Sequence, residues 1–141
     1  MALHIAVTCE GIDWERVAEV IKLGGLGDRT AVERRRMFEA GRIVAFAFED
    51  ELLVGTGRAI SDGVCQAAVY DVVVHPDYQG RGIGRAIMES VIDQLGECNV
   101  ILFAVPEKIG FYEKLGFGRM TTAMARFQDP ETWRERGYIE R

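Results

Sequence analysis

Val72-Val73-Val74-His75-Pro76-Asp77-Tyr78-Gln79-Gly80-Arg81-Gly82-Ile83-Gly84-Arg85-Ala86 is the stretch that decides the fold. Val72 to Val74 is a near-continuous apolar run, the pattern of a strand buried on both faces, and Pro76 stops it. A polar loop, His75 to Gly80, follows. From there Ile83, Ala86, Ile87, Val91 and Leu95 fall on one helical stripe, which Gly96 closes. A strand, a glycine loop and a helix in that order turn free backbone N–H groups and the positive end of a helix toward an anion. Glycine at positions 80, 82 and 84 removes the Cβ atoms that would hold a phosphate off the backbone. The loop is a candidate pyrophosphate cradle.

Other phosphate loops fit less well. A triphosphate-binding loop ends in Gly-Lys-Ser/Thr, whereas Gly84 is followed by Arg85-Ala86. A dinucleotide fingerprint counted from Gly80 needs a sixth-position glycine and meets Arg85. It also opens the first βα unit of a longer chain, and this loop is central in a short one. A glycine-rich turn with no ligand is the remaining alternative.

Outward from the loop, Leu3 to Val7 reads as a first strand, and Trp14, Val17, Ala18 and Ile21 follow helical spacing behind Asp13 as N-cap. The stretch Gly24 to Asp28 breaks that helix. Thr30 opens a second one to Ala40, closed by Gly41; its run Glu33-Arg34-Arg35-Arg36 reads as a solvated face. Arg42 to Phe48 and Leu52 to Ile60 form a hairpin across Glu49-Asp50-Glu51, and Ser61-Asp62-Gly63 turns into the strand Val64 to Val74. After the loop and its helix come a strand at Val100 to Val105, a short helix around Lys108 to Leu115, and strand-like Phe117 to Met120 and Met124 to Phe127. The tail, Gln128 to Arg141, carries the capping signature Asp129-Pro130-Glu131 ahead of a short helix with Trp133. No internal repeat or linker interrupts this order, so one mixed sheet with helices on its faces is expected.

The composition agrees with a globular chain. Of 141 residues, 48% are hydrophobic and 28% charged, with mean hydropathy near zero. These values exclude a disordered or collagen-like polymer. No apolar run reaches the eighteen or so residues of a membrane span, and the N-terminus lacks the basic and apolar regions of a signal peptide, so a cytoplasmic protein without a membrane partner is expected. Net charge is −5 and no basic face is evident, which argues against a nucleic-acid partner and mildly favours a cationic substrate. Cys9, Cys65 and Cys98 lack ligand spacing and read as small buried hydrophobes, with no metal site.

With these elements in place, the chain resembles the GCN5-related N-acetyltransferases (GNAT). That family's hallmark, Arg/Gln-x-x-Gly-x-Gly/Ala at the end of the fourth strand, is matched by Gln79-Gly80-Arg81-Gly82-Ile83-Gly84. Phe111-Tyr112-Glu113-Lys114-Leu115-Gly116-Phe117 is similar to the FYxKxGF segment that follows the family's fifth strand. Order and spacing agree, the resemblance spans residues 3 to 127, and it looks most like the small members that acetylate amines. It implies an α/β (α+β) GNAT fold, one mixed, mostly antiparallel twisted sheet of about six to seven strands with helices on both faces. The implied organisation is one domain over residues 1–141, with 128–141 as a tail. A homodimer with Trp133 and Tyr138 in its contact is a further expectation.

The resemblance also implies acetyl-coenzyme A as co-substrate, without a metal. Its pantetheine arm would lie along Val72, Val73 and Val74, where a strand amide would polarise the thioester carbonyl. Its pyrophosphate would sit in the loop of Gln79, Gly80, Arg81, Gly82, Ile83, Gly84, Arg85 and Ala86. Arg81 and Arg85 would add charge there, and Lys108 would meet the outer phosphate, although each is equally readable as solvent-facing. Tyr112 holds the motif position for protonating the departing sulfur; a phenol near 10 against a thiol near 8.5 keeps its proton at neutral pH. Asp71, an isolated acid at the start of the valine run, is read equally as the candidate base or as a structural acid at the strand end; as a base, with an ordinary carboxylate near 3.9, it would work through water or be raised by burial. His75 lies at the loop mouth and is a weaker candidate; His4 is a strand residue. Many relatives carry an asparagine after the fifth strand, where this chain reads Val105-Pro106-Glu107-Lys108-Ile109. The family builds its acceptor pocket from the segment corresponding to Leu23 to Val32, with Arg58 and Tyr70 as lining residues. The expected reaction is acetyl transfer to a primary amine of a small molecule or a protein lysine, by direct attack in a ternary complex. The alternative is a non-catalytic acyl-coenzyme A sensor.

Overall fold

Two helix starts are fixed by their caps. Asp13 accepts a hydrogen bond from the Arg16 amide ahead of α1 (Trp14–Leu23), and Thr30 and Glu33 close a reciprocal capping box ahead of α2 (Ala31–Ala40). The computed structural model describes residues 2–140 and divides after Leu102 into two compact units. The first unit holds β1 (Leu3–Ala6), α1, α2, β2 (Ile43–Glu49), β3 (Leu52–Ser61), β4 (Gln66–Val74), α3 (Ile83–Leu95) and β5 (Asn99–Ile101). The strands form one five-stranded sheet in the order β1-β2-β3-β4-β5, antiparallel throughout except for the parallel pair β4 and β5. The return from β4 to β5 through α3 is the crossover that a parallel pair requires.

Glycines show how tightly the helices sit on the sheet. A Cβ at Gly57 would lie 2.6 Å from Ile87 Cγ2, and one at Gly55 would lie 2.8 Å from Ile87 Cδ1. α3 therefore rests on the bare face of β3. Strand alternation sends Thr56 and Arg58 to the opposite face, where α1 and α2 cover a core of Val17, Val20, Ile21, Phe38, Val44, Phe46, Leu53 and Val73. At the end of α1, a Cβ on Gly24 would fall 2.1 Å from Val73 Cγ1 and 3.2 Å from the Val20 carbonyl oxygen. Because its φ is −77°, the constraint on Gly24 is steric and not torsional. Gly24→Ala is expected to destabilise the chain by about 2–3 kcal/mol through overpacking, and Val73→Ala in the same chain to restore at least about 1 kcal/mol. Urea unfolding of the two single variants and the double tests this; additive losses would refute the contact.

The second unit begins at Phe103 and contains a 3-10 turn (Pro106–Lys108), α4 (Ile109–Lys114) and α5 (Pro130–Glu135), the last capped by Asp129. Its centre is aromatic: Phe127 stacks on Trp133 at 4.2 Å, and Phe103 and Tyr138 meet Trp133 edge-on. Trp133 and Tyr138 thus use ring faces and edges inside their own unit.

Three expectations change. The sheet has five strands, not six or seven, because Phe117 to Met120 and Met124 to Phe127 form no ladder. Met120 and Met124 are 56% and 98% exposed, so the apolar alternation there is not matched by burial. β5 ends at Ile101, short of the expected Val105. None of the three cysteines is fully buried, and Cys65 is exposed with its thiol toward Asp62. No helix among the described residues is long and apolar enough to cross a membrane.

Candidate functional site

The loop after β4 is shaped by its own side chains. The His75 amide donates to the Val54 carbonyl, and its Nδ1 accepts from the Asp77 amide, which makes His75 the cap of the 3-10 turn Pro76–Tyr78. Gln79 Nε2 donates to the Val74 carbonyl at 3.0 Å, so this motif residue ties the loop back to the strand end. Gly80 and Gly82 follow with φ of +78° and +80°, the left-handed region that disfavours any residue with a Cβ. Around both, the space a Cβ would enter is empty to 4 Å.

Gly82 is also the N-cap of α3, and it offers no side chain to the helix end. The Ala86 amide bonds to the Gly82 carbonyl at 3.1 Å, so the unpaired amides of the first turn end at Arg85. Ala86, expected in the cradle, has its N–H occupied. Arg81 Nη1 pairs with Glu49 at 3.3 Å while its guanidinium lies over Tyr78, and Arg85 pairs with Glu89 on α3. Both arginines are at the mouth, and both are exposed.

Beside the loop, the ladder from β4 to β5 runs only from Gln66 to Ala68. From Val69 to Val74 the β5-facing side of β4 has no strand partner among the described residues, while its other side pairs with β3. A strand edge beyond the end of its ladder, beside a cradle of amides, forms a slot for an extended, amide-bearing chain that ends in a diphosphate. Val72, Val73 and Val74 border that slot.

At the start of the slot β4 bulges. Thr56 pairs with Val73 and Arg58 with Tyr70, so Asp71 and Val72 together oppose Gly57. Asp71 takes φ of +55°, and its carbonyl accepts a 2.9 Å bond from Thr56 Oγ1. The Asp71 carboxylate is not free. Arg58 Nε donates to Oδ2 at 2.7 Å, and Arg34 Nη1 stands 3.6 Å from Oδ1. Both carboxylate oxygens are therefore engaged by guanidinium groups. In this arrangement the carboxylate is an ionic anchor at the bulge.

Arg34 was not legible as a site residue. It stands in the run expected to be solvated, yet it is 2% exposed; its Nη2 reaches the Leu26 and Gly27 carbonyls at 3.4 and 3.3 Å. Burial pulls its guanidinium below the ordinary value, and Asp71 opposes that shift. The usable signal is helical phase, since Arg34 lies four residues before the buried Phe38.

Tyr112 belongs to the second unit. It is half-buried on α4 against the rings of Phe111 and Phe117, and burial pushes its phenol up to about 12. The backbone carbonyl of Tyr112 accepts from Leu115 and Phe117, which fixes the end of the short helix. Lys108 is exposed at the close of the preceding turn. Among the described residues no cluster of His, Cys, Asp or Glu could hold a metal ion.

Comparison with known proteins places this geometry. Residues 40–119 match the family model described as the acetyltransferase (GNAT) domain, and the chain belongs to that family. It is 38% identical over 116 residues to the chloroplastic serotonin N-acetyltransferase 2 of Oryza sativa subsp. japonica, covering 76% of this chain and 57% of that protein. It is 48% identical over 68 residues to an uncharacterized N-acetyltransferase of Porphyra purpurea, covering 46% of this chain and 39% of the relative. The chain thus spans between about two fifths and three fifths of these curated relatives. A solved GNAT-family acetyltransferase of Streptococcus pneumoniae superposes with a TM-score of 0.74 at 22% identity, over 91% of this chain and 100% of the other. That likeness concerns the fold.

Proposed function

We propose that this chain transfers the acetyl group of acetyl-coenzyme A to a primary amine by direct attack within a ternary complex. The observation that carries the reading is the uncapped start of α3 at two left-handed glycines, beside a β4 edge without a strand partner. These residues fit the coenzyme, because the empty space at Gly80 and Gly82 lets a phosphate approach the backbone. The names of the curated relatives support nitrogen as the acceptor atom. The proposed setting is the cytoplasm; the rice relative is chloroplastic by name.

Acetyl-coenzyme A, when bound, supplies a thioester acyl group and a thiolate leaving group. The chain's own residues do the rest. The amides of Ile83, Gly84 and Arg85 bind the pyrophosphate, and the β4 edge at Val72–Val74, beyond the ladder with β5, orients the pantetheine arm. A β4 amide donates to the thioester oxygen as charge builds on it. Asp71 holds the bulge in place through Arg58 and Arg34. Tyr112, lifted by burial to about 12, keeps its proton on Oη, and its motif position assigns it the proton for the departing sulfur. Starting from the ammonium form that prevails at neutral pH, the nitrogen sheds two protons, one of which ends on the sulfur and one in solvent, so the reaction releases one proton.

Thiol release from acetyl-coenzyme A across a panel of amines, amino sugars and lysine peptides tests the proposal; coenzyme binding with no turnover on any acceptor would favour the sensor reading. Tyr112→Phe is expected to lower kcat by about a hundredfold, within the usual range for a lost proton donor, and to leave the KM for acetyl-coenzyme A within about twofold. Because the phenol titrates near 12, no alkaline limb from Tyr112 is expected between about pH 6 and 10. Equal losses in kcat and coenzyme binding would assign Tyr112 to packing instead.

A further inference from the structure

The proposed reaction gives no substrate role to the charge cluster at the β4 bulge, and the inference drawn from that cluster rests on the reaction. Arg34 is 2% exposed, Arg58 is 9% exposed, and their side chains share the single carboxylate of Asp71. The further charges that act on Arg34 are Arg29 and Glu33, which pair with each other at 3.2 Å. Among the described residues the cluster therefore keeps one positive charge in excess, inside a chain whose net charge is −5. A buried surplus charge is costly unless a counter-ion completes it.

Two details give the surplus a direction. Arg34 Nε is buried and has no acceptor. Arg58 donates its Nε–H to Asp71, and its two terminal amino groups donate to no described residue. The Arg58 guanidinium is held 5.8 Å over the Phe38 ring and 5.3 Å over the Tyr70 ring. An arginine fixed at its Nε end and between rings presents its remaining N–H groups as a pre-set fork, the geometry that binds a carboxylate or phosphate. This fork lies on β3 opposite Tyr70, next to the bulge that leads into Val72–Val74. An anion bound there would sit near the strand segment assigned to the thioester.

We infer that the acceptor is an amine that also carries a carboxylate or phosphate, and that Arg58 binds this anion while Arg34 and Asp71 position Arg58. The overall acidity of the chain, which by itself favours a simple cation, is overridden locally by the two-to-one cluster.

The test compares acceptors that differ only in the anion: 4-aminobutyrate against propylamine and tryptophan against tryptamine for carboxylate, and 2-aminoethyl phosphate against ethylamine for phosphate. In the wild-type chain at least one anionic acceptor is expected to show kcat/KM more than about tenfold above its counterpart, and the pair that does so names the anion. Arg58→Met should bring that ratio toward one, chiefly through KM. Arg58→Lys, which keeps the charge but loses the fork, should fall between them and covers the case in which Arg58→Met does not fold. Turnover of simple amines with no anionic preference would overturn the inference and leave the acetyltransferase reading intact. If no amine is turned over, isothermal titration of 4-aminobutyrate, tryptophan and 2-aminoethyl phosphate at constant ionic strength decides the matter. Binding that Arg58→Lys weakens would uphold the anion site without the reaction, and no binding would overturn both.

Discussion

Asp71→Ala is expected to lower the stability of the chain by about 3–5 kcal/mol, the range observed when one partner is removed from a buried ion pair. The size follows from what remains. With the carboxylate gone, two guanidinium groups that are 2% and 9% exposed lose the single anion between them. Removing the side chain also releases the bulge, where Asp71 sits at φ of +55°. Asp71→Asn keeps the shape and an acceptor oxygen for Arg58 Nε, so its loss should be smaller. Denaturant unfolding with unchanged m-value measures both, and an Asp71→Ala loss below about 1 kcal/mol would show that water already compensates the arginines. Kinetics separate this role from general-base catalysis. A base at Asp71 would make Asp71→Asn lose turnover chiefly below neutral pH, whereas an anchor would lower activity evenly across the profile once the folded fraction is accounted for.

The parts of the molecule that were legible in the sequence are those fixed by local chemistry. Asp13, Thr30 and Asp129 cap the helices that their positions announce, and α3 spans Ile83–Leu95 as its apolar stripe requires. The glycine loop was legible because left-handed backbone at Gly80 and Gly82 needs glycine. The bulge was not, because Asp71 holds a positive φ through tertiary partners: Thr56 on its carbonyl, Arg58 and Arg34 on its carboxylate. Arg34 was hidden for a related reason. In a run of three arginines, charge outweighs helical phase, and the carboxylate that makes its burial tolerable, Asp71, comes from the distant strand β4. The strand-like segments after Ile101 failed in the opposite sense. Their alternation is genuine, but alternation makes a strand only where a ladder and an apolar surface receive it, and Met124 stands almost wholly exposed.

Gly82→Val is expected to weaken acetyl-coenzyme A binding by about a hundredfold, roughly 2.7 kcal/mol. Two effects combine. A β-branched residue at φ of +80° carries about 1–3 kcal/mol of backbone strain, which the chain relieves by moving away from the left-handed region. That movement swings the N-cap of α3 and turns the amides of Ile83, Gly84 and Arg85 away from a common centre. If the backbone instead holds, the new side chain occupies the open space through which a phosphate reaches those amides. Both routes reduce binding without touching a charged residue. Gly84→Ala provides the contrast: its position is inside α3, outside the left-handed region, and the family motif accepts alanine there, so coenzyme affinity should change by less than about threefold. Isothermal titration of coenzyme A into the three proteins, with far-ultraviolet circular dichroism to confirm that α3 persists, reads the effect directly. Equal affinities for Gly82→Val and the wild type would mean that the phosphates bind by side-chain charge at Arg81 and Arg85, and the pairs those arginines make with Glu49 and Glu89 would then have to break on binding.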